Sequence, residues 1–95
     1  VIYVGDICPC IPNHNWRYRE SCHLFCGGDL DELHVFAAKL GLRREWFQDK
    51  ASMPHYDLTR AKRRQAIRLG AIPAGRRVEG LWIRAWRRIG RDGGG

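Results

Sequence analysis

Between Pro54 and Arg64 the chain reads Pro-His-Tyr-Asp-Leu-Thr-Arg-Ala-Lys-Arg-Arg, which sets an imidazole, a phenol and a carboxylate at three consecutive positions. His55 and Asp57 are of the types that move protons near neutral pH or hold a divalent cation. Tyr56 adds a phenolic donor. Lys62 lies one turn into the helix that Thr59 should cap, where it and the helix N-terminus could steady an anion. Two more groups are candidates for the same rim: Asp6, which closes the run Val1 to Asp6, and His23, inside the alternating run Ser21 to Cys26. Asp6, His23, His55, Tyr56, Asp57 and Lys62 together would serve a small hydrolase or nuclease. The competing account is structural. Asp57 stands two residues before Thr59 and can accept a local turn hydrogen bond, and a lone histidine in so small a domain is more often a packing group.

These groups need a scaffold. The β-branched and aromatic run Val1 to Asp6 predicts a strand with Asp6 at its C-terminal end. Residues 7 to 20, broken by Pro9, Pro12, Asn13 and Asn15, predict an irregular loop. Its Trp16-Arg17-Tyr18-Arg19 segment suits a lid on the sheet or a clamp on an unpaired base. Ser21 to Cys26 alternates with period two and predicts a second strand. Asp29 and Glu32 have the form of a capping box, and Leu30, Leu33, Phe36, Ala37 and Leu40 then recur at helical spacing as far as Gly41. A third strand is expected over Leu42 to Gln48, and a loop over Asp49 to Met53. A second helix is expected from Arg60 to Leu69, stopped by Gly70. Ala71-Ile72-Pro73 permits a short strand that Pro73 confines to an edge or an end.

The last segment, Val78 to Arg91, predicts a third helix, with Gly93 to Gly95 as a flexible tail. The order predicts a single α/β domain over residues 1–92, with a small, mostly parallel four-stranded sheet flanked by three helices. In such a sheet the functional crevice lies at the carboxyl ends of the strands, where loops lead into helix N-termini.

On a helical wheel the second helix gathers Leu58, Ala61, Ala66 and Leu69, with Gln65, on one face, and sets Lys62 in its middle while Arg60, Arg63, Arg64 and Arg68 point elsewhere. Lys62 either snorkels or reaches back toward His55 and Asp57. The third helix collects Leu81, Trp82, Ala85, Trp86 and Ile89 on one arc, and Arg84, Arg87, Arg88 and Arg91 on the other.

Ninety-five residues support one modest core. The formal charge of +7 is carried mainly by arginine, whose planar fork suits phosphates. Its distribution is uneven: residues 1–58 hold six cations and eight acids, and residues 59–95 hold eleven cations and two acids. A nucleic acid or another phosphate-bearing ligand is therefore the expected partner, met by Arg60, Arg63, Arg64, Arg68, Arg84, Arg87, Arg88 and Arg91. The alternatives are an amphipathic helix docked on the core with a solvated cationic back, or one lying on a membrane surface. An inhibitor or adaptor gripping a protein through Trp82 and Trp86 is a further reading. No cofactor and no oligomeric state is specified.

No apolar run approaches the length of a membrane span, and no signal-peptide pattern opens the chain, so a cytoplasmic setting with reduced cysteines is expected. Position 1 is Val rather than Met, as in a trimmed chain or a fragment. Cys8-x-Cys10 and Cys22-x3-Cys26, with His14 and His23, raise a zinc reading, but the second pair would share one face of a strand. Buried thiols acting as small hydrophobes explain Cys22 and Cys26 better, and no metal ligands are assigned.

Cys22-His23-Leu24, Leu30-Asp31-Glu32-Leu33-His34, Phe36-Ala37, Leu40-Gly41-Leu42, Trp46-Phe47-Gln48, Pro54-His55-Tyr56-Asp57-Leu58-Thr59, Lys62-Arg63 and Ala66 through Ala71 together resemble the bacterial and phage family catalogued as domain of unknown function 4031. The resemblance covers roughly residues 2–72 and implies a small standalone cytosolic protein without naming a reaction. Members of that family usually carry a second aspartate where this chain has Gly5. Cys8, Cys10 and Cys26 are not family features, and the segment from Gly75 onward lies outside the resemblance.

Overall fold

In the computed structural model, residues 1–49 and 53–93 are described, with backbone alone for 90–93. The elements follow as β1 (Ile2–Val4), β2 (Cys8–Pro9), β3 (Glu20–Cys26), α1 (Leu30–Lys39), a 3-10 turn (Arg44–Trp46), β4 (Tyr56–Leu58), α2 (Arg60–Arg68), β5 (Ile72–Pro73) and α3 (Arg76–Gly93). The expected loop over Asp49 to Met53 includes 50–52, which lie outside the described residues. Of the expected tail, Gly93 belongs to α3 and the last two glycines lie outside the described residues.

The period-two pattern of β3 decides the layering. Cys22, Leu24 and Cys26 point to one side, where they pack with Val4, Leu33, Ala37, Tyr56, Leu58 and Ala66 beneath α1 and α2. Phe25 points to the other side and packs with Met53 and Ala74 against Tyr3 and the Trp82, Ile83 and Trp86 stripe of α3. Both faces are thus covered, as expected of an α/β domain.

The sheet itself is five-stranded and mixed rather than four-stranded and mostly parallel. Its order is β2-β3-β1-β5, with β4 also on β3; only β1 and β5 run parallel, and the β1–β3, β2–β3 and β3–β4 pairs are antiparallel. Leu42–Gln48, expected as a strand, instead holds the 3-10 turn, and the strand that follows it and pairs with β3 is Tyr56–Leu58. The physical reason is burial: Tyr56 and Leu58 are about 1% exposed on the core side, whereas Trp46 stays 51% exposed in a 3-10 turn. Phe47 instead packs against His34 and Tyr56. His55 to Asp57 therefore lie along a strand rather than in a loop entering a helix.

Local capping follows the sequence closely. Asp29 Oδ1 accepts from the backbone N–H groups of Asp31 and Glu32, and Thr59 Oγ1 accepts from that of Lys62. Gly41, at φ +79°, ends α1 with bonds from Gly41 N–H to Ala38 O and from Leu42 N–H to Ala37 O, both 3.0 Å. β5 sits at the sheet edge, where Pro73 costs no ladder bond.

Both wheels are rotated from the expected faces. In α2, Ala61, Gln65 and Leu69 are exposed, and the inward side is Ala66 flanked by Lys62, Arg63 and Ile67. The two cations are tolerated there because their heads reach backbone carbonyls: Lys62 Nζ donates to Leu40 O at 2.6 Å and Arg63 Nε to Gly5 O at 2.9 Å. In α3 the inward stripe is Glu79, Trp82, Ile83 and Trp86, while Leu81 and Ile89 are more than half exposed. No helix among the described residues is long and apolar enough to cross a membrane.

Candidate functional site

On the α3-facing side of the sheet, Gly5, His23 and Asp57 stand in one row. The Gly5 N–H donates to His23 O at 2.9 Å, and His23 is the register partner of Asp57 across β3 and β4. His55 lies two residues before Asp57 and shares its side of the strand. A two-way backbone bridge with Gln48 extends β4 and fixes His55 in place.

His55 is 6% exposed. Its Nδ1 lies 2.7 Å from Met53 O; a carbonyl can only accept, so Nδ1 carries the proton and Nε2 is the atom left for chemistry. That Nε2 is 3.5 Å from Asp57 Oδ1. His23 brings its own Nε2 to 3.8 Å from the same oxygen, and its Nδ1 lies 3.5 Å from Glu79 Oε1. The two imidazole rings overlap with centroids 4.0 Å apart. Gln48 Nε2 donates to the other carboxylate oxygen, Asp57 Oδ2. Glu79 enters from the first turn of α3, and a side chain at Gly5 would run into its Oε1. Glycine at position 5 thus leaves the space that the Glu79 carboxylate occupies.

Burial alone would lower the pKa of His55, but the Asp57 carboxylate and the Met53 carbonyl more than offset it, and the net direction is upward. Burial would likewise raise Asp57, yet His55, Gln48 and His23 hold it below the ordinary carboxylate value. Each group thus favours the charged form of the other. One ligand atom from each of His23, His55 and Asp57 lies within 4.8 Å of the others, so the three could hold a metal ion, although the sequence alone marks none.

The remaining expected site residues lie elsewhere. Asp6 is exposed past the end of β1, outside the cluster. Tyr56 points to the opposite face of β4, with its hydroxyl 2.9 Å from His34 Nδ1. Lys62 caps the C-terminus of α1 instead of reaching His55 and Asp57. Arg60 forms a bidentate pair with Glu20, both contacts 2.9 Å, and Arg63 is half-buried on the Gly5 carbonyl. Arg64, Arg68, Arg84, Arg87 and Arg88 are exposed, and the Arg91 side chain lies outside the described residues.

Trp82 and Trp86 are turned onto the protein's own sheet, Trp82 beside Tyr3 and Trp86 donating from Nε1 to Cys26 O, so they do not offer the free face that a protein partner would need. All four cysteines are free thiols. Burial pushes Cys22 up to about 12, as in a packed thiol.

Glu79 and Gln48 escape a reading of the sequence. Glu79 left one trace: it is one of two acids after Leu58, and it falls on the helical stripe with Trp82, Ile83 and Trp86. Gln48 left none.

The family model described as "Protein of unknown function (DUF4031)" matches residues 6–85. The match runs beyond residue 72 into α3 and takes in Glu79, Trp82 and Ile83. No curated protein and no solved structure matches the chain.

Proposed function

The chain belongs to the DUF4031 family, and on that footing we propose that it is a small hydrolase of phosphate esters whose centre is His23, His55 and Asp57. The observation that carries this reading is the convergence of both imidazole Nε2 atoms on Asp57 Oδ1, at 3.5 and 3.8 Å, from two neighbouring strands. Two imidazoles and a carboxylate so placed make a nucleophile of water near neutral pH, either by taking its proton or by holding the ion that lowers its pKa. His23, about a third exposed, gives the centre an opening to solvent.

The substrate class is supported by charge. Among the described residues Arg64, Arg68, Arg84, Arg87 and Arg88 form no ion pair, although acids elsewhere on the surface attract Arg43 and Arg60. Uncompensated arginines of this kind suit a polyanion, and nucleic acid is the substrate with the most phosphates to offer.

The test is turnover of phosphomonoester and phosphodiester chromogens, and of single- and double-stranded DNA and RNA, with and without added divalent metal. Hydrolysis that disappears in His55→Ala and persists in Lys62→Met supports the reading; no turnover of any of these substrates ends it. The same arginines favour a second reading, a nucleic-acid-binding protein without turnover. Its mark is affinity that falls steeply with salt and is indifferent to His55→Ala.

A further inference from the structure

We propose that the cluster is a built site for one first-row divalent metal ion of the zinc or cobalt type, bound by His23 Nε2, His55 Nε2 and Asp57 Oδ1. The inference deepens the proposed function and rests on it only for what the ion does; binding itself can be read without turnover.

The argument lies in the atoms that do not converge. Each of the three residues has its second polar atom held by something else. His55 Nδ1 donates to Met53 O at 2.7 Å, and His23 Nδ1 faces Glu79 Oε1 at 3.5 Å. Asp57 Oδ2 accepts from Gln48 Nε2. Ligating histidines characteristically give their other ring N–H to a carbonyl or a carboxylate, which sets the tautomer and aims the lone pair, and ligating carboxylates are themselves hydrogen-bonded. Two of these anchors are hydrogen bonds and the third is a looser His23–Glu79 pair, and together they leave the three remaining atoms within 4.8 Å of one another, more than a purely structural His–Asp contact needs.

Spacing agrees. Two ligands with bonds of ~2.0 Å at a tetrahedral centre lie ~3.3 Å apart. Asp57 Oδ1 is 3.5 and 3.8 Å from the two Nε2 atoms and all three ligand atoms lie within 4.8 Å of one another, so the two imidazoles must close inward when an ion binds. The chemistry of the donors narrows the ion: two imidazoles with one carboxylate suit a borderline transition metal and not magnesium or calcium, which take oxygen shells. Three protein ligands leave positions for water, as a hydrolytic centre requires and a closed structural zinc site does not provide. Gly5 belongs to the design as well, because a side chain there would displace the carboxylate that orients His23.

The experiment uses the full chain stripped with chelator, titrated with Co2+ in the visible range and with Zn2+ by calorimetry. The expected result is one ion per chain, with d–d bands and no thiolate charge-transfer band. His23→Ala and Asp57→Asn should each weaken binding by more than about tenfold, and Glu79→Gln by roughly tenfold with the stoichiometry kept. Because Cys8 and Cys10 are accessible thiols, the double variant Cys8→Ser/Cys10→Ser is the control and should bind as the parent does. His23 is partly exposed, so its alanine variant is the one to score, with circular dichroism verifying the metal-free fold.

Absence of binding, binding that survives both His23→Ala and Asp57→Asn, or binding lost with the two thiols overturns the site. Binding without hydrolysis contradicts the hydrolase and keeps the metal centre, and hydrolysis indifferent to chelator does the reverse.

Discussion

At the scale of single residues, the cluster sets a pH dependence whose sign can be worked out. In metal-free protein the folded pKa of His55 is raised, so its contribution to stability is complete below the unfolded histidine value and is lost as pH rises through the folded one. Asp57 is held low, so its contribution is present above the unfolded carboxylate value and is lost as pH falls through its folded one. Both are in force from about pH 4 to pH 6.5, the two unfolded values. Thermal melts of the parent and Asp57→Asn should therefore differ most in that window and less at alkaline pH, where the Gln48 bond to Asp57 remains. A difference that grows above neutrality would contradict the pairing.

Gly5 offers a second residue-level test. Gly5→Ala should cost no more than about 1 kcal/mol, because it clashes with the end of the flexible Glu79 side chain and can push it aside, and less when combined with Glu79→Ala. Additive losses in denaturant titrations would show that the two positions do not meet.

Among the elements, α1 shows what a sequence can reveal. Its Asp29 cap, its apolar spacing and its glycine stop are all relations within about a dozen residues and took the expected form, whereas Glu32, the other half of the expected capping box, pairs with the Val1 amino group. Asp29→Ala should cost about 1 kcal/mol by removing the acceptor for two backbone N–H groups, measured by chemical denaturation. Lys62→Met removes the ammonium from the Leu40 carbonyl and should cost about 1 to 2 kcal/mol while leaving metal affinity intact, which separates its role from that of the cluster.

Relations between elements were less legible. The pair Trp46–Phe47 has the composition of a strand, but the edge of β3 was taken by the shorter and better-buried Tyr56–Leu58. Nothing local in the sequence encodes the register that sets His23 opposite Asp57. The rotation of α3 that turns Glu79 inward depends on the surface of Phe25, Met53 and Ala74 on which the helix lies. His23, His55 and Asp57 could thus be named in advance by residue type, whereas Gln48 and Glu79 emerge only from the packing.

For the molecule as a whole, α1 and α2 build the larger core on one face of the sheet, and α3 closes the other face and delivers the carboxylate that orients His23. Fold stability and site geometry are therefore linked through α3. Trp86→Ala should lower stability by roughly 2 kcal/mol, less than the ~3–5 of a fully buried aromatic because Trp86 is only partly covered. It should also loosen metal binding without touching any ligand.

The convergence of the two Nε2 atoms is accessible to long-range proton–nitrogen NMR of the imidazoles, recorded with and without Zn2+. Without metal at alkaline pH, His55 should appear as the Nδ1–H tautomer. On addition of Zn2+, the Nε2 signals of His23 and His55 should shift together at one equivalent while those of His14 and His34 stay in place. Shifts confined to His14 or His34, or none at His23 and His55, would contradict the site.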